Sequence, residues 1–263
     1  MKEGQIREAL VENCRALERQ NLNQGTSGNL SARCDGDMLI TPTGVPYDVL
    51  TPRMIAKMPI AGEYGAWSGP VAPSSEWRIH LDILRAKPEV GAVVHTHSLY
   101  ATTLSLLHKP IPAVHYMIAA FGGPTIRCTK YAPFGTQELS DLVVDGLSNR
   151  DGVLLGQHGM VVTGRDLGQA LWRAVELETL AKMYLLALSV GRPRILSDSE
   201  ILRTVEKFKS YGYQPEKMAA LEKHSGKTGG EKKAAAKTKN ARTANAAKPR
   251  SASKKTRSAS KKK

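Results

Sequence analysis

Beyond Leu221 the sequence carries no large apolar residue, only Lys, Arg, Ala, Ser, Thr, Gly and a few other small or polar residues with a single Pro249. A segment of that kind cannot bury enough surface to offset its ordering entropy, so residues 223–263 are expected to be disordered. Whatever folds must fold within residues 1–222, a length that suits one domain with a substantial core. The charge divides at the same place. The formal net charge of +14 comes from 38 basic and 24 acidic residues, and 15 of the basic residues with one acid, Glu231, lie from Lys223 onward. The remaining 23 residues of each sign leave a neutral body. The excess charge therefore describes an appendage, and implies at most nonspecific, salt-sensitive contact with nucleic acid, without aromatic stacking.

Within the body, helix and strand patterns alternate without a strict strand–helix–strand rhythm. Ile6, Ala9, Leu10, Cys14 and Leu17 recur at helical spacing over residues 5–22. Residues 29–33 and 38–41 read as paired strands joined at Asp35-Gly36, and Pro42, Gly44, Pro46 and Pro52 break the next stretch into loops. A helix opens at Pro73-Ser-Ser-Glu, with Ser74 or Ser75 as cap, and stops before Pro88. The β-branched run Val90–His97 is the clearest strand. Further helices are expected over 98–107, 136–147, from Asp166 to Ser189 and after Asp198, with strands at 152–155 and 160–163. This mixture predicts an α/β fold, a mixed sheet covered by helices. Three scattered cysteines, Cys14, Cys34 and Cys128, offer no disulfide framework or metal knuckle. The first residues form a charged amphipathic pattern and no apolar stretch reaches bilayer length, which places the expectation in the cytoplasm.

Two histidines, His95 and His97, end the best strand. Residues two apart on a strand share a face, so both imidazoles can reach one ion. A lone histidine there would more often be a core or solvated residue; the pair shifts the balance towards a metal. His158, in the turn Gly156-Gln-His-Gly159, would complete a three-histidine set that leaves a coordination position open, although a single histidine in a turn is commonly surface. His80, inside a helical pattern, reads as structural. Glu76 is either a favourable charge in a first helical turn or a catalytic base, and the pattern does not separate the two. Three loops, 25–29, 41–44 and 73–75, have the glycines, hydroxyls and helix N-terminus that suit an anion. No nucleotide-binding glycine signature is present.

Taken together, NQGTSGNLSAR, LITPTGVPYD, PSSEWRIH, AVVHTHS, IPAVHYMIAAFGG, FGTQELS and QHGMVVTG resemble the class II aldolase/adducin family, in order, from about residue 5 to Gly212. The resemblance implies a three-layer α/β/α domain assembled as a cyclic homotetramer, with active sites between subunits. It implies Zn2+, with Mn2+ or Co2+ as substitutes, on His95, His97 and His158, and Glu76 as a displaceable fourth ligand and general acid/base. Gly28, Asn29, Thr43, Gly44, Ser74 and Ser75 match positions that hold a substrate phosphate. Phe134 and Tyr211 match residues at the aldehyde end, and Tyr116 matches a residue offered by the adjacent subunit.

The implied reaction is reversible cleavage of a deoxy-ketose 1-phosphate to dihydroxyacetone phosphate and a small aldehyde. L-Fuculose 1-phosphate and 5-deoxy- or 5-methylthioribulose 1-phosphate are the substrates in view. Pentulose 5-phosphate 4-epimerases of the same family are the nearest alternative, and they carry Asp where this chain has Glu76. A non-catalytic adducin-like protein with a nucleic-acid-binding tail is the other. Retention of all three histidines and Glu76 weighs against it.

Overall fold

The computed structural model describes residues 2–208. Tyr211, the end of the body to residue 222 and the basic tail lie outside the described residues.

The first helix, α1 (Glu3–Arg19), lays Ile6, Leu10, Cys14 and Leu17 against the sheet. Strands β1 (Asn29–Cys34) and β2 (Asp37–Ile40) form the expected antiparallel hairpin, with Asp35 in the left-handed region at φ 52°. A strand not expected from the sequence, β3 (Ala56–Pro59), then pairs with β2. Its four residues come after a proline-rich stretch, and their alternation of buried and half-buried positions is too short to stand out. Helix α2 (Trp77–Ala86), strand β4 (Ala92–Thr96) and helix α3 (Leu99–Leu106) are next along the chain. Short strands β5 (Ile111–Pro112) and β6 (Thr125–Cys128), also not expected, flank a 3-10 helix at Tyr116–Phe121. Helix α4 (Gln137–Gly146), strands β7 (Gly152–Leu155) and β8 (Gly159–Gly164), and helices α5 (Leu167–Val190) and α6 (Asp198–Phe208) complete the described chain. Thr136 and Asp166 cap α4 and α5 through their side chains.

The eight strands form one sheet in the order β3-β2-β1-β4-β8-β7-β6-β5. Only β6 and β7 run parallel, so the sheet is mixed. Strand periodicity splits its side chains between two cores. Ala92, Val94, Leu154, Met160 and Val162 pack with α1, α3 and α5, whereas Val93, Val153, Leu155 and Val161 pack with α2 and α4. This is the three-layer α/β/α arrangement, with both faces of the central strands buried. Among the described residues no helix is long and apolar enough to cross a membrane.

One half-buried tie crosses between distant segments. Glu178 of α5 accepts from Ser98 Oγ at 2.7 Å, Tyr100 N at 2.8 Å and Ala101 N at 2.9 Å. Its carboxylate thereby caps the N-terminus of α3, immediately after the end of β4.

Candidate metal centre

His95 belongs to β4, and its parity with Val93 aims its ring towards the layer that contains α2. His97 lies one residue beyond the strand, and His158 sits in the tight β7–β8 turn. That turn needs its glycine: a Cβ at Gly159 would lie 2.5 Å from the Thr96 carbonyl and 2.9 Å from the His97 ring. Gln157, just before His158 in this turn, adopts the left-handed region at φ 55°.

Helix α2 starts later than expected. Trp77 is its first residue and Glu76 occupies the N-cap position. Ser74 Oγ accepts from the Glu76 N–H at 3.2 Å, ahead of the helix, so neither serine is the N-cap expected for it, and the Glu76 side chain makes no cap bond either. It turns inward instead and is 5% exposed. The reading of Glu76 as a first-turn surface charge is therefore replaced by a buried carboxylate facing the histidines.

The donor atoms of Glu76, His95, His97 and His158 all lie within 4.8 Å of one another. His95 Nε2 is 3.1 Å from His97 Nε2 and 3.2 Å from Glu76 Oε2, and His158 Nε2 is 3.2 Å from Glu76 Oε1. His95 Nδ1 lies 2.9 Å from the Met160 carbonyl. A carbonyl only accepts, so Nδ1 carries the proton, and in the neutral ring Nε2 presents a lone pair to the cluster. Burial opposes ionisation of Glu76, but His95 and His158 beside it outweigh that and hold its carboxyl well below the usual carboxylate range. For His95 burial opposes the charged form, and the adjacent Glu76 carboxylate more than compensates, raising its pKa. His97 is pushed down to about 4 by burial and by its two histidine neighbours. An ionised carboxylate thus faces the imidazole rings of the cluster.

A divalent cation fits this set. It would satisfy the lone pairs together, including that of Glu76 Oε1, which is buried and has no hydrogen-bond partner. Three imidazoles and one carboxylate are ligand types that suit zinc and other borderline divalent ions.

The cluster opens into a cavity of about 360 Å3 lined by residues of all three glycine- and hydroxyl-rich loops. Gly28, Asn29, Thr43, Gly44, Ser74 and Ser75 all reach it, as do Glu76, His97, His158 and Phe134. Backbone bonds join two of the loops: Ser74 N–H donates to the Thr41 carbonyl at 2.9 Å and Thr43 N–H to the Ala72 carbonyl at 3.1 Å. The first loop is held by Tyr47, whose hydroxyl donates to the Gly28 carbonyl at 2.6 Å. Gly28 itself is required, since a Cβ there would come within 2.8 Å of both Asn23 and the His95 carbonyl.

Asn29, Tyr116 and His80 each have surroundings that bear on the centre. The Asn29 side-chain amide is committed to protein partners, Glu76 and His80. Tyr116 does not line its own chain's cavity; it is half exposed, beside a hollow bordered by Glu200 and Thr204. His80 is fully buried and bonded to Asn29 and Ser31, consistent with a structural histidine but one step from the centre. Tyr131, Ala132 and Gln157 also line the cavity and were not singled out in the sequence. Only Gln157 carried a signal, its place between a glycine and a candidate ligand.

Comparison with known proteins agrees with this geometry. The class II aldolase and adducin N-terminal domain profile matches residues 8–185. The L-fuculose phosphate aldolase of Escherichia coli K12 is 44% identical over 217 residues, spanning 82% of this chain and 100% of that protein. A 5-methylthioribulose-1-phosphate/5-deoxyribulose-1-phosphate aldolase of Rhodospirillum rubrum is 47% identical over 207 residues, 79% of this chain and 92% of that one. A solved L-fuculose 1-phosphate aldolase superposes with a TM-score of 0.75 at 36% identity, covering 78% of this chain and 96% of its own. With the profile spanning most of the body, the chain belongs to the class II aldolase and adducin family.

Proposed function

We propose that this protein is a zinc-dependent aldolase that reversibly cleaves a deoxy-ketose 1-phosphate to dihydroxyacetone phosphate and a small aldehyde. The observation that carries this reading is the meeting of a four-donor cluster and an uncharged, hydroxyl-lined cradle in one cavity. A cavity of about 360 Å3 is within the range of small-ligand sites, and its two halves match the two ends of a phosphorylated sugar.

His95, His97, His158 and Glu76 would hold the ion. Bound there, a divalent ion supplies Lewis-acid polarisation of the substrate's carbonyl and hydroxyl oxygens. Gly28, Thr43, Gly44, Ser74 and Ser75 hold the phosphate through backbone N–H groups and hydroxyls at the entry to α2. Glu76, freed from the ion by substrate, would be the group to exchange a proton with the substrate carbon next to the carbonyl. His95 and His158 beside it keep it ionised against the opposing effect of burial. Phe134, which lines the cavity, faces the aldehyde; Tyr211 is assigned the same role on the resemblance alone. Tyr116 serves the cavity of a neighbouring copy in a homotetramer, which accounts for its exposure outside its own cavity. The catalytic domain spans residues 1–222 and acts in the cytoplasm, and the basic segment 223–263 is a separate appendage.

The test is release of dihydroxyacetone phosphate from L-fuculose 1-phosphate, 5-deoxyribulose 1-phosphate and 5-methylthioribulose 1-phosphate by zinc-loaded protein. Turnover of at least one is expected, with loss on chelation and return with Zn2+, Mn2+ or Co2+. No release from any of the three, with interconversion of pentulose 5-phosphates instead, would replace this reading by the epimerase. Removing residues 224–263 is expected to leave turnover intact and abolish any retention on DNA.

A further inference from the structure

Behind the metal centre lies a line of three polar side chains that the proposed reaction leaves without a role. His80 is fully buried on α2, one turn after Glu76. Its Nδ1 is 2.8 Å from Ser31 Oγ and its Nε2 is 2.5 Å from Asn29 Oδ1. The Asn29 amide then donates from Nδ2 to Glu76 Oε2 at 2.9 Å.

The chemistry of the partners fixes the direction of every proton. A carboxylate can only accept, so Asn29 must turn its NH2 group to Glu76 and its oxygen to His80. That oxygen in turn only accepts, so His80 carries its proton on Nε2. Nδ1 is then a bare acceptor, filled by the Ser31 hydroxyl. Three donors point one after another from Ser31 towards Glu76, and each is aligned by the group behind it. A neutral imidazole is required, and burial supplies it by pushing the His80 pKa down to about 3. The second Asn29 amide hydrogen has no protein acceptor among the described residues, and Asn29 lines the cavity.

We infer that His80 is a positioning residue that acts through Asn29: it locks the amide so that N–H, and not C=O, faces the Glu76 carboxylate and the cavity. The locked amide aims one Glu76 oxygen and keeps a donor beside the carboxylate that would hold the ion. Without His80 the amide is free to flip, and an acceptor oxygen then opposes the carboxylate. The inference rests on Glu76 holding a metal, as the proposed function has it, and not on the identity of the sugar.

The test is a substrate-free titration of Zn2+ against a competing chelator. His80→Leu keeps the volume and removes the donor, whereas His80→Gln places an amide Nε2 near the imidazole Nε2 and retains it. We expect His80→Leu to weaken zinc binding by about 10-fold or more, the size usual for outer partners of metal ligands, with His80→Gln within about 3-fold of the native protein. In a Glu76→Ala background the same His80→Leu change is expected to cost less than about 2-fold, because its target is gone. Equal losses for Leu and Gln, or a loss undiminished in the Glu76→Ala background, would show general loosening and overturn the inference. Should His80→Leu not fold, Ser31→Ala gives the same direction at roughly 3-fold, and native affinity in that variant is equally decisive. Since no sugar is present, absence of aldolase turnover would strike the proposed function while leaving this result readable.

Discussion

The two halves of the cavity are built in opposite ways. The histidine half stands on strand ends and a glycine-locked turn, is largely buried, and has His95 held by the Met160 carbonyl and Glu76 by the Asn29 amide. The cradle half is loop, stitched by backbone bonds, and contains no titratable group among Gly28, Thr43, Gly44, Ser74 and Ser75. A metal ion demands a set of donors held at fixed separations, and rigid strands supply them. A phosphate rotates and is tolerant, and N–H groups in turns serve it with less precision. Substitutions in the first half should therefore abolish chemistry, and those in the second should weaken only affinity.

The largest effect should come from His95→Ala or His158→Ala. Loss of the bound ion is expected to lower turnover by roughly 10^3-fold or more, several kcal/mol of transition-state stabilisation, with metal analysis showing depleted protein. In the cradle, Ser75→Ala should raise KM by about 10-fold through loss of a charge-assisted hydrogen bond, while metal content stays native. If Ser75→Ala also shed the metal, the division between the halves would fail.

Acid should find the two halves unequal as well. His80 has its pKa depressed from 6.5 to about 3 by burial, with His95 opposing its protonation and Glu76 favouring it. A depressed pKa means that the unfolded chain takes up the proton first. The stability tied to neutral His80 is complete above pH 6.5 and is lost as pH falls towards 3. Denaturant titrations of metal-free protein should show a slope of at most about 1.4 kcal/mol per pH unit from this group, reduced in His80→Gln. The smallest effect is expected at Phe134→Ala, a shift of roughly 3- to 10-fold in the ratio of kcat/KM between L-fuculose 1-phosphate and 5-methylthioribulose 1-phosphate.

The same contrast governs what could be read from the sequence. His95 and His97 were legible because strand parity is a strict rule, and His158 because two glycines bracket it between apolar strands. The central strands and capped helices were legible for the same reason: Asp166 and Thr136 announce their helices chemically. The cradle loops carried only ordinary turn residues, and their convergence depends on pairings such as Pro42 with Pro73 that no local pattern encodes. Glu76 was ambiguous since a first-turn acid and an inward-facing N-cap residue have the same sequence. Strands β3, β5 and β6 are too short to show periodicity. His80 looked structural because the groups that give it meaning, Ser31 and Asn29, lie about 50 residues earlier, at separations of 49 and 51.

The carboxylate of Glu178 has one more consequence. It binds the amides of Tyr100 and Ala101, the first hydrogens that would exchange with solvent if α3 frayed on its own. Their acceptor belongs to a helix 78 and 77 residues further along the chain. Exchange at those two amides therefore reports the undocking of α5 and not local fraying, and it makes the loop bearing His97 open as one cooperative unit with a helix formed much later in the sequence.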